Sequence, residues 1–287
     1  MDAYSDLQTL RRGYARQTLA RIGIENATLE MAFATVPRER FLPPGPWQIL
    51  LPTGGYQLTP DADPANLYTD DVIGIVPECK INNGQPSLHA HLLNLAEIHP
   101  GDHAVHIGTG AGYYTAIIAE LVGAAGRVTG IEFDLALATA ARRNLDAWPS
   151  VRVLQGDGSG VEIVAADVIY VNAGATRPAE GWLDGLKVGG RLILPLTTNE
   201  GFGSYGADER QGGVFRIVRS ADRWDARWIC GVAIFPCAGV RDEASERALA
   251  AAFHCGGWEK VRRLYRRDDL PEERCWLRGI GWCFAFD

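Results

Sequence analysis

Leu7, Leu10, Tyr14, Thr18 and Ile22 recur at spacings of three and four, which predicts an amphipathic helix over residues 5–22. Gly23 ends it. A second short helix is expected over Ala27–Thr35, capped by Asn26 or Thr28, and Pro37 with the Pro43-Pro44 pair stops it. Residues 45–86 then lose periodicity. Pro, Gly, Asp and Asn dominate, and only short strands are expected, for example around Val72–Val76. So long a segment inside a compact domain is usually functional or a mobile lid. Ser87 is placed to cap a helix that runs to about Ile98, where Pro100-Gly101 breaks it.

From there the pattern alternates. Apolar strands are expected at Ala104–Ile107, Arg127–Ile131, Val151–Leu154, Val168–Val171 and Arg191–Leu196. Helical patterns separate them at Tyr113–Val122, Leu135–Ala147 and Ala179–Leu186. Such alternation predicts an α/β fold with a doubly wound, mainly parallel sheet. Residues 199–213 read as a glycine-rich loop. Val214–Arg219 and Arg227–Phe235 read as an antiparallel pair, Asp242–Phe253 as a helix and Gly279–Phe286 as a strand.

Composition narrows the partners. The 287 residues, 47% hydrophobic and 22% charged, are ordinary for a globular chain and ample for a full core. The net charge of −7 repels duplex DNA and anionic membranes on average, so neither a nucleic acid nor a membrane is expected as partner. The basic run Lys260–Arg267 reads as a solvated face rather than a binding patch. The six cysteines form no C-x-x-C pair, and the polar start Met1-Asp2-Ala3 is unlike a signal peptide. The thiols are therefore expected to be reduced, mostly buried small hydrophobes in a cytoplasmic protein. No stretch approaches the roughly 18–20 apolar residues of a membrane span.

The chemistry lies at three consecutive strand ends. Gly108-Thr109-Gly110-Ala111-Gly112 joins a strand to a helix, where glycines allow a tight turn and close approach of a ligand to the main chain. The dinucleotide pattern G-x-G-x-x-G would need glycine where Tyr113 stands, whereas G-x-G-x-G suits S-adenosylmethionine better. Glu132 ends the next strand and can accept hydrogen bonds from ribose hydroxyls. Asp157 ends the third and can accept from the adenine amino group, with Gly158 leaving room for the ring. Each acid alone is as well explained by a helix cap or a surface charge. Three stations in register point to S-adenosylmethionine.

At this point the chain resembles protein-L-isoaspartate (D-aspartate) O-methyltransferases. Val105–Tyr113, Gly130–Glu132, Gln155–Gly158 and Gly189–Pro195 carry the likeness, together with Val36–Phe41, Tyr68–Asp71 and Asn82–Ala90. It covers roughly residues 8–197 and is specific in the order of its motifs, while the C-terminal portion matches loosely through Phe235-Pro236. The resemblance implies a Rossmann-like core at 101–197, an N-terminal helical cap and substrate loop at 1–100, and a C-terminal α+β addition at 198–287. It implies S-adenosylmethionine bound by His106, Gly108, Thr109, Gly110, Gly112, Tyr113, Glu132, Phe133, Asp157 and Gly158. It implies Asn83, Gly84 and His89 beside the methyl group, and a peptide or protein acceptor carrying an isoaspartyl or other carboxylate.

Two positions depart from the family. Gly84 stands where the substrate loop normally has a serine two places before the proline. His106 stands where an acid usually precedes Ile-Gly-x-Gly; it could serve as a neutral acceptor, pair with the cofactor carboxylate when protonated, or simply be a hydrogen-bonded strand-end histidine. His89 matches a histidine of eukaryotic members, His91 points elsewhere on the helix, and no spacing argues for a metal. Val171-Asn172-Ala173-Gly174 lacks the Asn-Pro-Pro-Tyr signature of amino-methylation.

An ionised carboxylate attacking a sulfonium methyl needs no general base, so catalysis rests on positioning and exclusion of water. The expected function is carboxylate O-methylation by a cytoplasmic monomer or homodimer. Two alternatives stay open: a dedicated peptide or small-molecule acceptor, and a protein that binds S-adenosylmethionine without transferring methyl.

Overall fold

The computed structural model describes residues 3–199 and 212–287, so most of the loop expected over 199–213 lies outside the described residues. In chain order the elements run α1 (Ala3–Ala20), α2 (Ala27–Thr35), β1 (Gln48–Leu50), β2 (Tyr56–Leu58), β3 (Gly74–Val76), β4 (Ile81–Asn82) and α3 (Pro86–Ala96). The alternating region follows with β5 (His103–Ile107), α4 (Tyr113–Val122), β6 (Arg127–Glu132), α5 (Leu135–Asn144), β7 (Val151–Gln155), β8 (Ala166–Val171), α6 (Glu180–Gly185) and β9 (Leu186–Thr197). The remainder comprises β10 (Gly212–Arg219), β11 (Trp224–Gly231), α7 (Glu243–Cys255), β12 (Arg263–Tyr265), β13 (Cys275–Gly279) and β14 (Trp282–Ala285). Two compact units form: Met1–Asp102 with Thr109–Gln155, and His103–Gly108 with Gly156–Asp287.

In the first unit, α2 begins where a capping side chain permits. Asn26 Oδ1 accepts from the Leu29 N–H at 3.0 Å, satisfying one of the helix's free donors. Helix α5 stops at Asn144, short of the expected Ala147, because its end is tied down: Arg40 Nε donates to the Asn144 carbonyl at 2.6 Å. Asn144 Nδ2 in turn donates to the Ala111 carbonyl at 3.0 Å. Strands β6 and β7 pair in parallel, Val128 opposite Val151 and Glu132 opposite Gln155. Tyr14, Phe33, Phe41 and Tyr113 pack as tilted and edge-on rings in the core, the arrangement their quadrupoles favour.

The segment expected as a loop or lid carries two short antiparallel pairs, β1 with β2 and β3 with β4. It is tied down by Arg38, a fully buried arginine. Its guanidinium donates to Leu67 O (2.7 Å), Thr69 O (3.0 Å), Asp71 O (2.7 Å) and Asn83 Oδ1 (3.0 Å). Beside it, Glu39 accepts from Arg11 and from the Tyr68 hydroxyl. The run Val36–Phe41 is thus a hub joining helix and loop.

The cap of α3 differs from expectation. Pro86 takes the first helical position, which needs no N–H, and Gln85 makes no capping bond. Ser87 lies inside the first turn, and both its N–H and its hydroxyl donate to Asp70, each at 2.7 Å. A carboxylate from a distant part of the chain does the capping.

In the second unit the strand order is β13-β14-β12-β11-β10-β9-β8-β5. Strands β5, β8 and β9 are parallel, and the C-terminal strands continue antiparallel from β9 onward. The partner of β10 is Trp224–Gly231 rather than Arg227–Phe235, because the turn closes early: Ser220 N–H donates to Arg223 O at 2.8 Å. Beyond Gly231 the main chain bonds elsewhere, with Phe235 O accepting from Gly174 N–H at 2.7 Å. The stretch expected as one strand over Gly279–Phe286 is instead the turn and return strand of a hairpin, since Gly281 adopts a φ of 76°.

Cys275 and Cys283 are joined across that hairpin, which corrects the expectation of reduced thiols for that pair; Cys79, Cys230, Cys237 and Cys255 remain thiols, and Cys79 and Cys255 are exposed rather than buried. The basic run is a surface balanced by acids: Arg263 pairs with Asp225, Arg266 with Asp184 and Arg267 with Asp269. Among the described residues no helix is long and apolar enough to cross a membrane.

Removing the Arg38 guanidinium leaves four oxygens without their donor. Arg38→Met should destabilise the chain by at least about 3 kcal/mol, given 1–3 kcal/mol for each buried group left unsatisfied. Arg38→Lys should not rescue it, because an ammonium cannot reproduce the planar fork. Urea denaturation checks both variants.

Candidate active site

In the first unit the glycine turn is braced from below by an acid. Glu132, at the end of β6, is 7% exposed. Its Oε2 accepts from the Gly110 N–H at 2.6 Å and its Oε1 from the Asp134 N–H at 3.0 Å. Burial pushes this carboxyl above its ordinary value, and the two N–H groups pull it back. A carboxylate offers about four acceptor positions, so Glu132 retains capacity for a ligand after bracing the turn. Thr109 is buried, its N–H and hydroxyl both donating to Ile131 O at 3.3 Å. Space opens beyond the α-carbon of Gly110, where an added methyl would touch nothing within 4 Å.

Helix α4 follows Gly112, an N-cap that makes no side-chain cap hydrogen bond. Tyr113 and Phe133 diverge. Tyr113 turns inward, with its hydroxyl 3.3 Å from that of Tyr14, and burial holds its phenol well above the ordinary range. Phe133 is 60% exposed, an apolar ring beside Glu132.

The substrate-loop candidates form a second cluster in the same unit. Asn83 Oδ1 is committed to Arg38, and its N–H to Ile73 O at 2.7 Å. Asn82 Oδ1 accepts from the Gly84 N–H at 2.9 Å. That turn gives Gly84 a φ of 70°, a conformation L side chains avoid. A Cβ there would also collide with His89 Nε2. His89 is buried and stacks on Tyr114, ring centroids 3.6 Å apart and 17° between planes. The Tyr114 hydroxyl reaches the Gly84 carbonyl at 3.4 Å. The glycine that departs from the family pattern is therefore required here, because an imidazole occupies the side-chain space.

The other candidates belong to the second unit. Asp157 lies two residues past the end of β7 rather than on it, and its Oδ1 accepts from Ser159 N–H and Oγ, each at 2.8 Å. Gly158 lies against the Ile107 side chain, where an added methyl would stand 2.5 Å from Cγ2, and its carbonyl accepts from the Trp182 indole at 2.8 Å. Gly108 has its carbonyl 3.3 Å from Asn172 Nδ2.

His106 sits within β5, fully buried, with its ring 5.4 Å from and edge-on to Tyr170. Burial lowers its pKa to about 3. Desolvation favours the neutral ring over an imidazolium paired with a cofactor carboxylate. Among the described residues no three His, Cys, Asp or Glu side chains group to hold a metal.

Sequence reasoning missed the parts that hold these residues. Arg38 and Asp70 lay inside motifs that carried the resemblance, so their presence was visible but their partners were not. Tyr114 was one apolar-periodic position among many. Gly239, whose backbone lies against Asp157, gave no signal.

Comparison with known proteins shows the family. The family model for protein-L-isoaspartate(D-aspartate) O-methyltransferase matches residues 17–213. The protein-L-isoaspartate O-methyltransferase of Ignicoccus hospitalis is 31% identical over 238 residues, covering 80% of this chain and 98% of that protein. That of Pyrobaculum arsenaticum is 28% identical over 225 residues, 76% of this chain and 95% of its own. A solved protein-L-isoaspartate O-methyltransferase superposes with a TM-score of 0.66 at 25% identity, over 83% of this chain and 69% of that one. A Plasmodium falciparum structure in complex with S-adenosyl-L-homocysteine gives 0.61 at 18% identity, over 79% of this chain and 97% of that one, a likeness of fold.

Two outcomes follow from the geometry. Gly84→Ser should not raise methyl transfer. It should cost about 1–2 kcal/mol for the left-handed backbone alone, before the clash with His89, as read by denaturation beside turnover. His106 should make the chain acid-labile. Below its ordinary value of 6.5 the unfolded imidazole takes a proton that the buried one refuses until about pH 3. Its contribution is full above 6.5 and is lost as pH falls toward 3, with a slope of up to about 1.4 kcal/mol per pH unit. Unfolding titrations of wild type and His106→Asn should differ by that slope; parallel curves would refute it.

Proposed function

The chain belongs to the protein-L-isoaspartate(D-aspartate) O-methyltransferase family, and from that membership we propose that its acceptor is the free carboxylate of an isoaspartyl residue in a peptide or protein. It is a methyltransferase that depends on S-adenosylmethionine. The observation that carries the site assignment is Glu132: a buried acid at a strand end, bonded to the glycine turn and still offering acceptor positions.

The residues present fit the cofactor. Glu132 takes ribose hydroxyls, the exposed Phe133 ring lies beside them, and the space beyond Gly110 and the uncapped start of α4 receive the amino-acid portion. Asp157 takes the adenine amino group. When bound, S-adenosylmethionine supplies an electrophilic methyl on a sulfonium. The protein supplies placement. Arg38 fixes the loop that presents Asn83 and Gly84, and the His89–Tyr114 stack gives that loop a rigid floor. An acceptor carboxylate is already ionised near neutral pH, so no side chain need remove a proton, and orientation supplies the rate.

One observation favours a second reading. His89 fills the space that a side chain at position 84 would take, which is compatible with a dedicated peptide or small-molecule carboxylate as acceptor. Under either reading we take the chain to act as a monomer or homodimer in the cytoplasm, without nucleic-acid or membrane partners. The net charge of −7 and the acid-balanced basic run speak against nucleic-acid and membrane partners. We divide its labour as 1–100 for cap and acceptor loop, 101–197 for the cofactor and 198–287 for an extension of the sheet.

Labelled methyl transfer to an isoaspartyl peptide and its normal aspartyl twin tests the proposal. Label should appear in the isoaspartyl peptide alone, as a base-labile ester. Absence of label there, in a chain that binds S-adenosylhomocysteine, would favour the dedicated acceptor.

A further inference from the structure

The C-terminal portion carries a contact that the site assignment does not use. Between β11 and α7 the chain passes over Asp157. The backbone of Gly239 lies so close that a Cβ there would overlap both carboxylate oxygens of Asp157 and the Ser159 hydroxyl. Gly239 has a φ of 80°. Its flanks are fixed on both sides. Cys237 N–H donates to Gly174 O at 2.9 Å, and Val240 O accepts from Thr176 N–H at 3.1 Å and Thr176 Oγ1 at 2.9 Å. Arg241 then donates to Gly174 O at 2.7 Å and pairs with Glu246 at 2.7 Å. A side chain at position 239 therefore has no easy retreat: either these posts break or Asp157 moves.

The two oxygens of Asp157 are not equivalent. Oδ1 accepts twice from Ser159, which fixes the carboxylate's orientation. Oδ2 accepts no hydrogen bond among the described residues, and it borders the α-carbon of Gly239. The result is one acceptor oxygen held in a set direction, walled on one side by main chain that carries no side chain.

We propose that the C-terminal portion forms a wall of the adenine subsite and that Gly239 determines cofactor specificity by keeping Asp157 Oδ2 open to the exocyclic amino group. This rests on the assignment of Asp157 to the adenine. An ionised carboxylate can only accept, so the slot selects a 6-amino purine, a donor, over a 6-oxo purine, which presents an acceptor. The close wall also excludes bulk on the amino nitrogen.

Calorimetric titration of the full chain tests this with three ligands: S-adenosylhomocysteine, S-inosylhomocysteine and N6,N6-dimethyl-S-adenosylhomocysteine. The wild type should bind the first at least about tenfold more tightly than either of the others, the scale expected when a half-buried carboxylate loses its hydrogen-bond donor. Gly239→Ala should weaken S-adenosylhomocysteine at least about tenfold and narrow its preference over the inosine analogue, with thermal melting on the same samples confirming a folded chain. Asp157→Asn separates the two claims. If it leaves affinity and preference unchanged, the assignment of Asp157 fails and this proposal with it. If Asp157→Asn weakens binding but folded Gly239→Ala does not, only the role of Gly239 is overturned. Should Gly239→Ala not fold, the wild type decides alone, because tight binding of the dimethyl analogue would show that no wall is there.

Discussion

A buried guanidinium organises the first unit. Among the described residues Arg38 meets only neutral oxygens: three main-chain carbonyls and the Asn83 amide. Desolvating an arginine is costly, and only good geometry with several acceptors offsets it. That requirement is also what shapes the loop, since Leu67, Thr69 and Asp71 must turn their carbonyls toward one point. From there the order spreads by contact. Asn83 is fixed, the Asn82 turn sets Gly84, and Gly84 gives way to His89 on Tyr114. Asp70, in the same turn of chain, caps α3 and so fixes the helix that carries His89.

Glu132 is a different kind of fixture. Its charge is opposed by burial and favoured by two N–H bonds, with burial the larger influence. Bonds to an ionised acceptor contribute about 1.5–3 kcal/mol each, and so hold the glycine turn to the strand end. One acid can thus brace the turn and face a ligand. The carboxylate chemistry proposed for the acceptor asks nothing more of the protein than such fixed geometry. This accounts for a site without an acid–base pair.

The alternation of strands and helices from residue 103 onward was legible because buried strands and amphipathic helices have distinct periods. The glycine turn after β5 and Glu132 at the end of β6 were legible because glycine and acid there answer a local geometric need, whereas Asp157 lies two residues beyond β7 rather than on it. Capping at Asn26 was readable, being local, whereas Asp70 capping α3 was not, since its partner lies 17 positions away in sequence. The requirement for glycine at 84 was invisible for a similar reason. Sequence showed the missing serine, while only the fold shows His89 in its place. His106 read as a neutral acceptor, a protonated partner of the cofactor or a hydrogen-bonded strand-end histidine, and its full burial was not legible in the sequence. The early turn at Ser220 and the Cys275–Cys283 link depend on pairings that composition cannot specify.

The central claim is that Glu132 holds the cofactor ribose from the strand end that braces the glycine turn. Calorimetric titration of S-adenosylhomocysteine into wild type and Glu132→Ala tests it most directly, with melting curves to confirm that the variant is folded. Loss of a charged hydrogen-bond acceptor predicts binding weaker by about 1.5–3 kcal/mol, roughly ten- to a hundredfold. Unchanged affinity in a folded Glu132→Ala chain would contradict it.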